Sequence, residues 1–310
     1  MYKSGLKVYA PASVANVAVG FDILGFAIER PGDEIIIKEG KKPGLHITKI
    51  TGDNKKLPRE VEKNTAGFAA LKFLEHIGES DRPLEMEIHK KMPFGSGLGS
   101  SAASAVAGVY GVNEFVGAPL TKQEILPFAV LGEQVADGAY HADNVAPSLL
   151  GGMVLVRNAT LDFVKIPIPY GLYVSAIYPH ISILTKDSRS VLSDQVKLKT
   201  HIEQSSHLGF FLSGMYTSNF KMIGDSLKDL VIEPQRSQLI PHFHEMQDIA
   251  MQEGALGFSI SGAGPTVFGL FDNSLNCENA SEKITKLLKK HKVKNTVYNS
   301  KINLEGAVKF

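Results

Sequence analysis

Three glycines at alternate positions, Gly95, Gly97 and Gly99, separate a strand-like segment from a run of small residues. No other feature limits the fold as strongly. Before them, Leu84, Met86 and Ile88 alternate with Glu85, Glu87 and His89, the period of a half-buried strand. After them come Ser100, Ser101, Ala102 and Ala103, and small residues continue through Ala107, Gly108 and Gly111. That composition predicts a helix packed closely on its neighbours. Glycine lets the backbone bend freely and approach a ligand with no β-carbon in the way. A helix starting there aims its unpaired N–H groups and positive dipole end back at the loop. Residues 93–104 (PFGSGLGSSAAS) therefore have the physics of a phosphate cradle, with a ligand-free strand-to-helix turn as the alternative that glycines alone leave open.

Two common cradles can be set aside. The pattern GxxxxGK[ST] is absent from the chain. The pattern GxGxx[GA] occurs at residues 97–102, but a dinucleotide site needs an acidic residue about 20 positions on, closing a parallel strand. Gly117, Ala118, Pro119, Leu120 and Thr121 make no strand. The strand before the loop also alternates, whereas a doubly wound sheet wants a continuous apolar run.

The rest of the chain groups strands with helices. Strands are expected at residues 33–39 and 45–50, then a helix over 64–77 capped by Asn64 or Thr65, with Ala70, Phe73, Leu74 and Ile77 on one face. A second helix carries Leu126, Ala129, Val130 and Glu133 on one face. Thr121 and Glu124 have capping-box spacing ahead of it, yet Pro127 favours a start nearer Leu126. A new block opens near Ile166. It holds a strand over 172–177, a long helical stretch, and two strands, 255–261 and 266–271, around Gly262, Ala263, Gly264 and Pro265. A helix over 281–291 and a strand over 297–302 come last. This order gives an α+β protein in two parts, residues 1–165 and 166–310, with no flexible linker between them.

Lys plus Arg total 33 and Asp plus Glu total 32, so no electrostatic footprint for nucleic acid or an anionic membrane exists. The single cysteine, Cys277, rules out an intrachain disulfide and reads as a structural thiol. No signal-peptide pattern and no membrane-length apolar run is evident, which leads to the expectation of a cytoplasmic protein.

Three segments in order, residues 10–28 (APASVANVAVGFDILGFAI), 93–104 and 259–271 (SISGAGPTVFGLF), resemble the GHMP kinases. Within that superfamily ANVAVGFD, HADNVAPSLLGG (141–152), TKDSR (185–189) and IEPQR (232–236) are most similar to the homoserine kinases. The resemblance implies a ribosomal-protein-like N-terminal domain and a ferredoxin-like C-terminal domain with ATP between them. It implies ATP-dependent phosphorylation of L-homoserine, with Mg²⁺ as cofactor; the alternatives are another GHMP small-molecule kinase of mevalonate or sugar type, or a non-catalytic GHMP metabolite sensor.

By that resemblance Pro93, Gly95, Ser96, Gly97, Leu98, Gly99, Ser100 and Ser101 wrap the ATP phosphates, Ser101 and Glu133 hold Mg²⁺, and Asn64 lies near the base. Glu133 has independent support, because a carboxylate on an apolar helix face is costly unless paired or metal-bound. Gly262 and Gly264 press the third motif against the phosphate loop, a plain hairpin turn being the alternative. An amino-acid substrate needs an acid for its ammonium and an Arg fork for its carboxylate. Asn16, Asp22, His141, Thr185, Arg189 and Arg236 occupy those family positions, with Asp143 as a brace. Asn144 stands at the catalytic position where mevalonate-type relatives carry an Asp. An amide accepts no proton at physiological pH, so no general base is assigned; His141 is the remaining candidate and reads as a substrate-binding group. The expected partners are ATP and L-homoserine, without nucleic acid or membrane, and a homodimer is compatible with the sequence.

Overall fold

The computed structural model describes residues 5–138, 140–181, 183 and 185–310. Strand β1 (Leu6–Ala15) turns back through residues 16–23 into β2 (Leu24–Glu39), which pairs with it antiparallel. β2 starts well before residue 33, because Gly25 to Ala27 continue the ladder opposite Ala15 to Ser13. Next come β3 (Leu45–Thr51), α1 (Thr65–His76) and β4 (Leu84–His89). α1 lies between β3 and β4 in the chain and lets them pair parallel. The alternation at residues 84–89 sets one face of β4 against the core.

The cradle leads into α2 (Ser100–Phe115), and α3 (Lys122–Asp137), α4 (Val145–Leu150), β5 (Met153–Arg157) and β6 (Asp162–Ile166) complete the first part. The first sheet runs β4 beside β2 beside β1, with β3 outside β4, while β5 pairs with β2 and β6 with β5. α2 lies on β1 and β2, and α1, α3 and α4 pack around it. Glycine makes this possible. A β-carbon on Gly108 would stand 2.3 Å from Ala66 O, and one on Gly132 would stand 2.6 Å from Thr65 O.

α3 begins at Lys122, so the later start suggested by Pro127 is corrected. The capping box is fully formed, with Glu124 N donating to Thr121 Oγ1 and Thr121 N donating to the Glu124 carboxylate. Pro127 removes the N–H that would reach the carbonyl of Gln123, but both residues face solvent and water can take that carbonyl.

The second part is β7 (Tyr173–Pro179), α5 (Thr185–Ser190), α6 (Leu198–Thr217), α7 (Phe220–Ser226), α8 (Glu233–Arg236), α9 (Phe243–Gln252), β8 (Gly257–Ile260), β9 (Val267–Phe271), α10 (Ser274–Lys290) and β10 (Asn295–Lys301). The four strands form an antiparallel sheet in the order β10, β7, β9, β8, with α9 and α10 packed against it. That is the split βαβ order of a ferredoxin-like domain. A last strand, β11 (Val308–Lys309), was not foreseen; it returns to the first sheet and pairs with β1. We propose the domain division at residue 166, with β11 counted in the first domain. The two parts share a core, and Phe26 meets Phe268 edge-on at 5.9 Å.

Candidate active site

One cleft collects most of the sequence-marked residues of both parts; Asn64, Pro93, Ser96 and Leu98 are not among its lining residues. Its floor begins at the turn after β1, where Asn16, Val17, Ala18 and Asp22 have φ of 70°, 44°, 56° and 61°. Non-glycine residues in that region cost free energy that the surroundings must offset. Asn16 supplies part of the restraint: its Oδ1 accepts from Asp22 N at 3.0 Å and its Nδ2 donates to Gly262 O at 2.9 Å. Asn16 thus braces Asp22 as well as lining the cleft.

Gly95, Gly97 and Gly99 all have positive φ, 60°, 79° and 65°. The third motif does press on this loop. Ser261 Oγ donates to Gly97 O at 2.6 Å, Thr266 N to Ser96 O at 3.0 Å, and a β-carbon on Gly97 would lie 2.6 Å from Ser261 O. Leu98 is fully buried and Ser96 nearly so; their backbones hold the loop, with Ser13 N donating to Leu98 O at 3.1 Å. Ser100 lines the cleft with a buried hydroxyl that has no hydrogen-bond partner among the described residues. An open glycine cradle, a helix N-terminus and an unsatisfied hydroxyl together fit a phosphate group.

Ser101 Oγ donates to Glu133 Oε1 at 2.7 Å, so the two residues expected to hold a cation are brought together from α2 and α3. A half-buried hydroxyl and a buried carboxylate are oxygen donors of the type Mg²⁺ takes. Asn64 caps α1: its Oδ1 accepts from Ala66 N and Gly67 N, and its Nδ2 donates to Pro58 O. The amide is occupied by the cap, and Leu57, Thr65 and Phe94 line the cleft there.

The opposite end of the cleft is charged. Arg189, from α5, donates to both oxygens of Asp22 at 3.1–3.2 Å and to His141 Nε2 at 2.7 Å. Arg236, from α8, is buried, donating from Nε to Ser188 O at 3.0 Å and from an Nη to Gly262 O at 2.9 Å. Burial, reinforced by the charge of Arg189, pulls its pKa down to about 10, so an anion beside it would be stabilising. The Asp22 carboxyl is held above the ordinary carboxylate value, by burial first and then by Asp143, against the pull of Arg189. Asn144 Oδ1 accepts from Ser13 Oγ at 2.9 Å, which leaves the donor end of the amide for a ligand. The Thr185 side chain lies outside the described residues.

The comparisons agree with this geometry. The model for the GHMP kinases N terminal domain matches residues 64–152, and that for GHMP kinases C terminal matches residues 211–290. A homoserine kinase of Chlorobium phaeovibrioides is 44% identical over 97% of this chain and 98% of its own, and one of Xylella fastidiosa is 38% identical over 89% and 84%. The chain belongs to the homoserine kinases of the GHMP family. The crystal structure of homoserine kinase from Cytophaga hutchinsonii superposes with a TM-score of 0.97 at 44% identity, covering 100% of this chain and 98% of that one. A mevalonate kinase at 19% identity and a TM-score of 0.73 shares the fold.

In this homoserine kinase family member several site residues escaped the sequence. Lys90 follows β4 directly and forms a buried ion pair with Asp33 of β2. Its Nζ also donates to Ser100 O at 2.7 Å and Ser104 Oγ at 2.8 Å, clamping the first turn of α2. The signal was register: Glu34 pairs with His89, which sets Asp33 beside Lys90. Phe21 lies under both guanidiniums, 5.9 Å from Arg189 and 5.1 Å from Arg236.

Proposed function

We propose that this cleft transfers the γ-phosphoryl group of ATP to the hydroxyl of L-homoserine, giving ADP and O-phospho-L-homoserine on the way to threonine. One observation carries it: two guanidiniums, a carboxylate and an imidazole converge beside a glycine cradle, at Arg189, Arg236, Asp22 and His141. A zwitterionic amino acid supplies a match for each sign of charge, which a neutral sugar does not.

The glycine loop and the N-terminus of α2 hold the polyphosphate. Ser101 and Glu133 hold Mg²⁺, which neutralises charge on the phosphates. Asp22 takes the ammonium, and Arg189 and Arg236 take the carboxylate, so the substrate hydroxyl is set by its other two groups. The hydroxyl oxygen forms the new bond to Pγ as the Pγ–O bond to the β-phosphate breaks; ADP leaves with that electron pair, and the hydroxyl proton goes to solvent or a phosphate oxygen. The transition state is loose, so the proton need not leave early and positioning supplies most of the rate. A cytoplasmic location belongs to the same proposal; among the described residues no helix is long and apolar enough to cross a membrane.

A coupled ADP-release assay run in parallel with homoserine, mevalonate, galactose and shikimate tests the substrate. Turnover with homoserine, confirmed as a phosphomonoester by ³¹P NMR, is expected. Faster turnover with mevalonate or galactose would overturn it.

A further inference from the structure

Two carboxylates face His141, and the ammonium needs one. Asp22 reaches the cleft from the β1–β2 turn, bound to Arg189. Asp143 lies two residues after His141, is 2% exposed, and has Oδ1 3.3 Å from His141 Nδ1. That contact is loose, since Asp143 Oδ1 makes no well-aligned hydrogen bond; such contacts tighten when a substrate is bound. At the far edge of the ring, Nε2 lies 2.7 Å from a guanidinium nitrogen of Arg189. A guanidinium can only donate, so Nε2 carries a lone pair and the ring proton sits on Nδ1, facing Asp143.

We propose that Asp143 is a positioning residue that fixes His141 in its Nδ1–H tautomer, so that Nε2 stands in the cleft as an acceptor for the ammonium of the substrate. This rests on the amino-acid substrate proposed above. The same nitrogen of Arg189 is held by both oxygens of Asp22 and by His141 Nε2. Three acceptors around one cationic nitrogen are what a primary ammonium, with three N–H donors, requires. Arg189 stands in for that ammonium. When a substrate carboxylate draws the guanidinium towards Arg236, the three acceptors pass to the substrate. The other tautomer would point a donor at the ammonium. The partner of the second ring nitrogen selects the tautomer, and a buried carboxylate, which only accepts, selects Nδ1–H.

Among the described residues the charged groups facing His141 are Asp143, Asp22 and Arg189. Burial opposes the charged ring, but the two carboxylates outweigh burial and Arg189, so its pKa lies above the ordinary value. Protonation of Nε2 turns the acceptor into a donor. Homoserine binding therefore weakens as pH falls through that raised value, and Asp143→Asn moves this limb to lower pH.

The decisive experiment is ¹⁵N NMR of the full chain labelled at histidine, above the titration of His141, with its signals assigned by their loss in His141→Gln. The expected result is a protonated Nδ1 and an unprotonated Nε2. In an Arg189→Leu background, where no guanidinium holds Nε2, Asp143→Asn should raise the population of the Nε2–H form; in the chain that keeps Arg189, Asp143→Asn should raise KM for homoserine about 10-fold and leave KM for ATP unchanged, and Asp143→Glu should restore part of the effect. An Nε2–H tautomer in the wild type overturns the proposal, as does a tautomer that Asp143→Asn leaves unchanged in the Arg189→Leu background. If Asp143→Asn does not fold, the wild-type spectrum and the Asp143→Glu variant decide. The spectra need no substrate, so a wild type inactive on homoserine would overturn the substrate and not the tautomer.

Discussion

Ser101 and Glu133 are 32 positions apart in the chain and 2.7 Å apart in the cleft. Ser101→Ala and Glu133→Gln should each lower kcat by about 10²-fold or more with the fold intact, because charge on the transferring phosphoryl group loses its compensation. Circular dichroism and a Mg²⁺ titration of the rate check this; a normal Mg²⁺ dependence in Glu133→Gln would remove that ligand. Arg189 and Arg236 act on the other substrate. Alanine at either should raise KM for homoserine roughly 10- to 150-fold, the worth of a charge-assisted contact, and leave KM for ATP nearly unchanged. Normal homoserine binding to both variants by calorimetry would mean the clamp is misassigned. These residues were legible only through their motifs. Taken singly, Arg189 could equally be a solvated surface charge, and nothing local places it against Asp22, 167 positions away.

At the scale of elements, the alternation in β4 and the small residues of α2 were open to reading because periodicity is local. The Asp33–Lys90 pair was not, because it depends on the β2–β4 register. It ties two strands to the helix that carries Ser100 and Ser101. Lys90→Met alone should destabilise by about 3–5 kcal/mol, since it strands a buried carboxylate, whereas Lys90→Met with Asp33→Leu should recover much of that loss. Denaturant unfolding of both variants measures the difference, and equal losses would argue against a stranded charge. α3 offers the opposite case, a local rule overridden. Its capping box fixes the start, and Pro127 is tolerated on the wet side. Pro127→Ala should therefore stabilise the protein, by about 1–3 kcal/mol, seen as a rise in Tm. An unchanged Tm would show that the proline costs the helix nothing at that position.

For the whole molecule, the chain closes on itself. Gly152 N donates to Asn303 O at 2.7 Å, Ala307 N to Leu149 O at 3.2 Å, and Phe310 N to Lys7 O at 2.9 Å. These contacts tie the C-terminus to β1 and to α4, the helix that Asn144 precedes. Deleting residues 303–310 should cost roughly 2–4 kcal/mol, about 1 kcal/mol for each such bond, and should lower kcat as well as Tm. Calorimetric unfolding and the kinase assay together test this; full stability after truncation would show that β11 is ornamental.

The sequence by itself determined the cradle, the α+β order of two parts and the inventory of charges. Each of these arises from neighbours within a few residues, where helix and strand periods, caps and glycine freedom operate. It also excluded the two common nucleotide motifs, one by its absence from the chain and the other through the residues on both sides of the glycines. Tertiary structure alone decided what those charges face. The strained turn at residues 16–22 puts Asp22 before Arg189. The β2–β4 register puts Asp33 under Lys90. The return of β11 makes the last residues part of the first sheet. The physical reason is common to all three: a pairing between residues far apart in the chain is set by the packing of whole elements, and no local pattern encodes that partner.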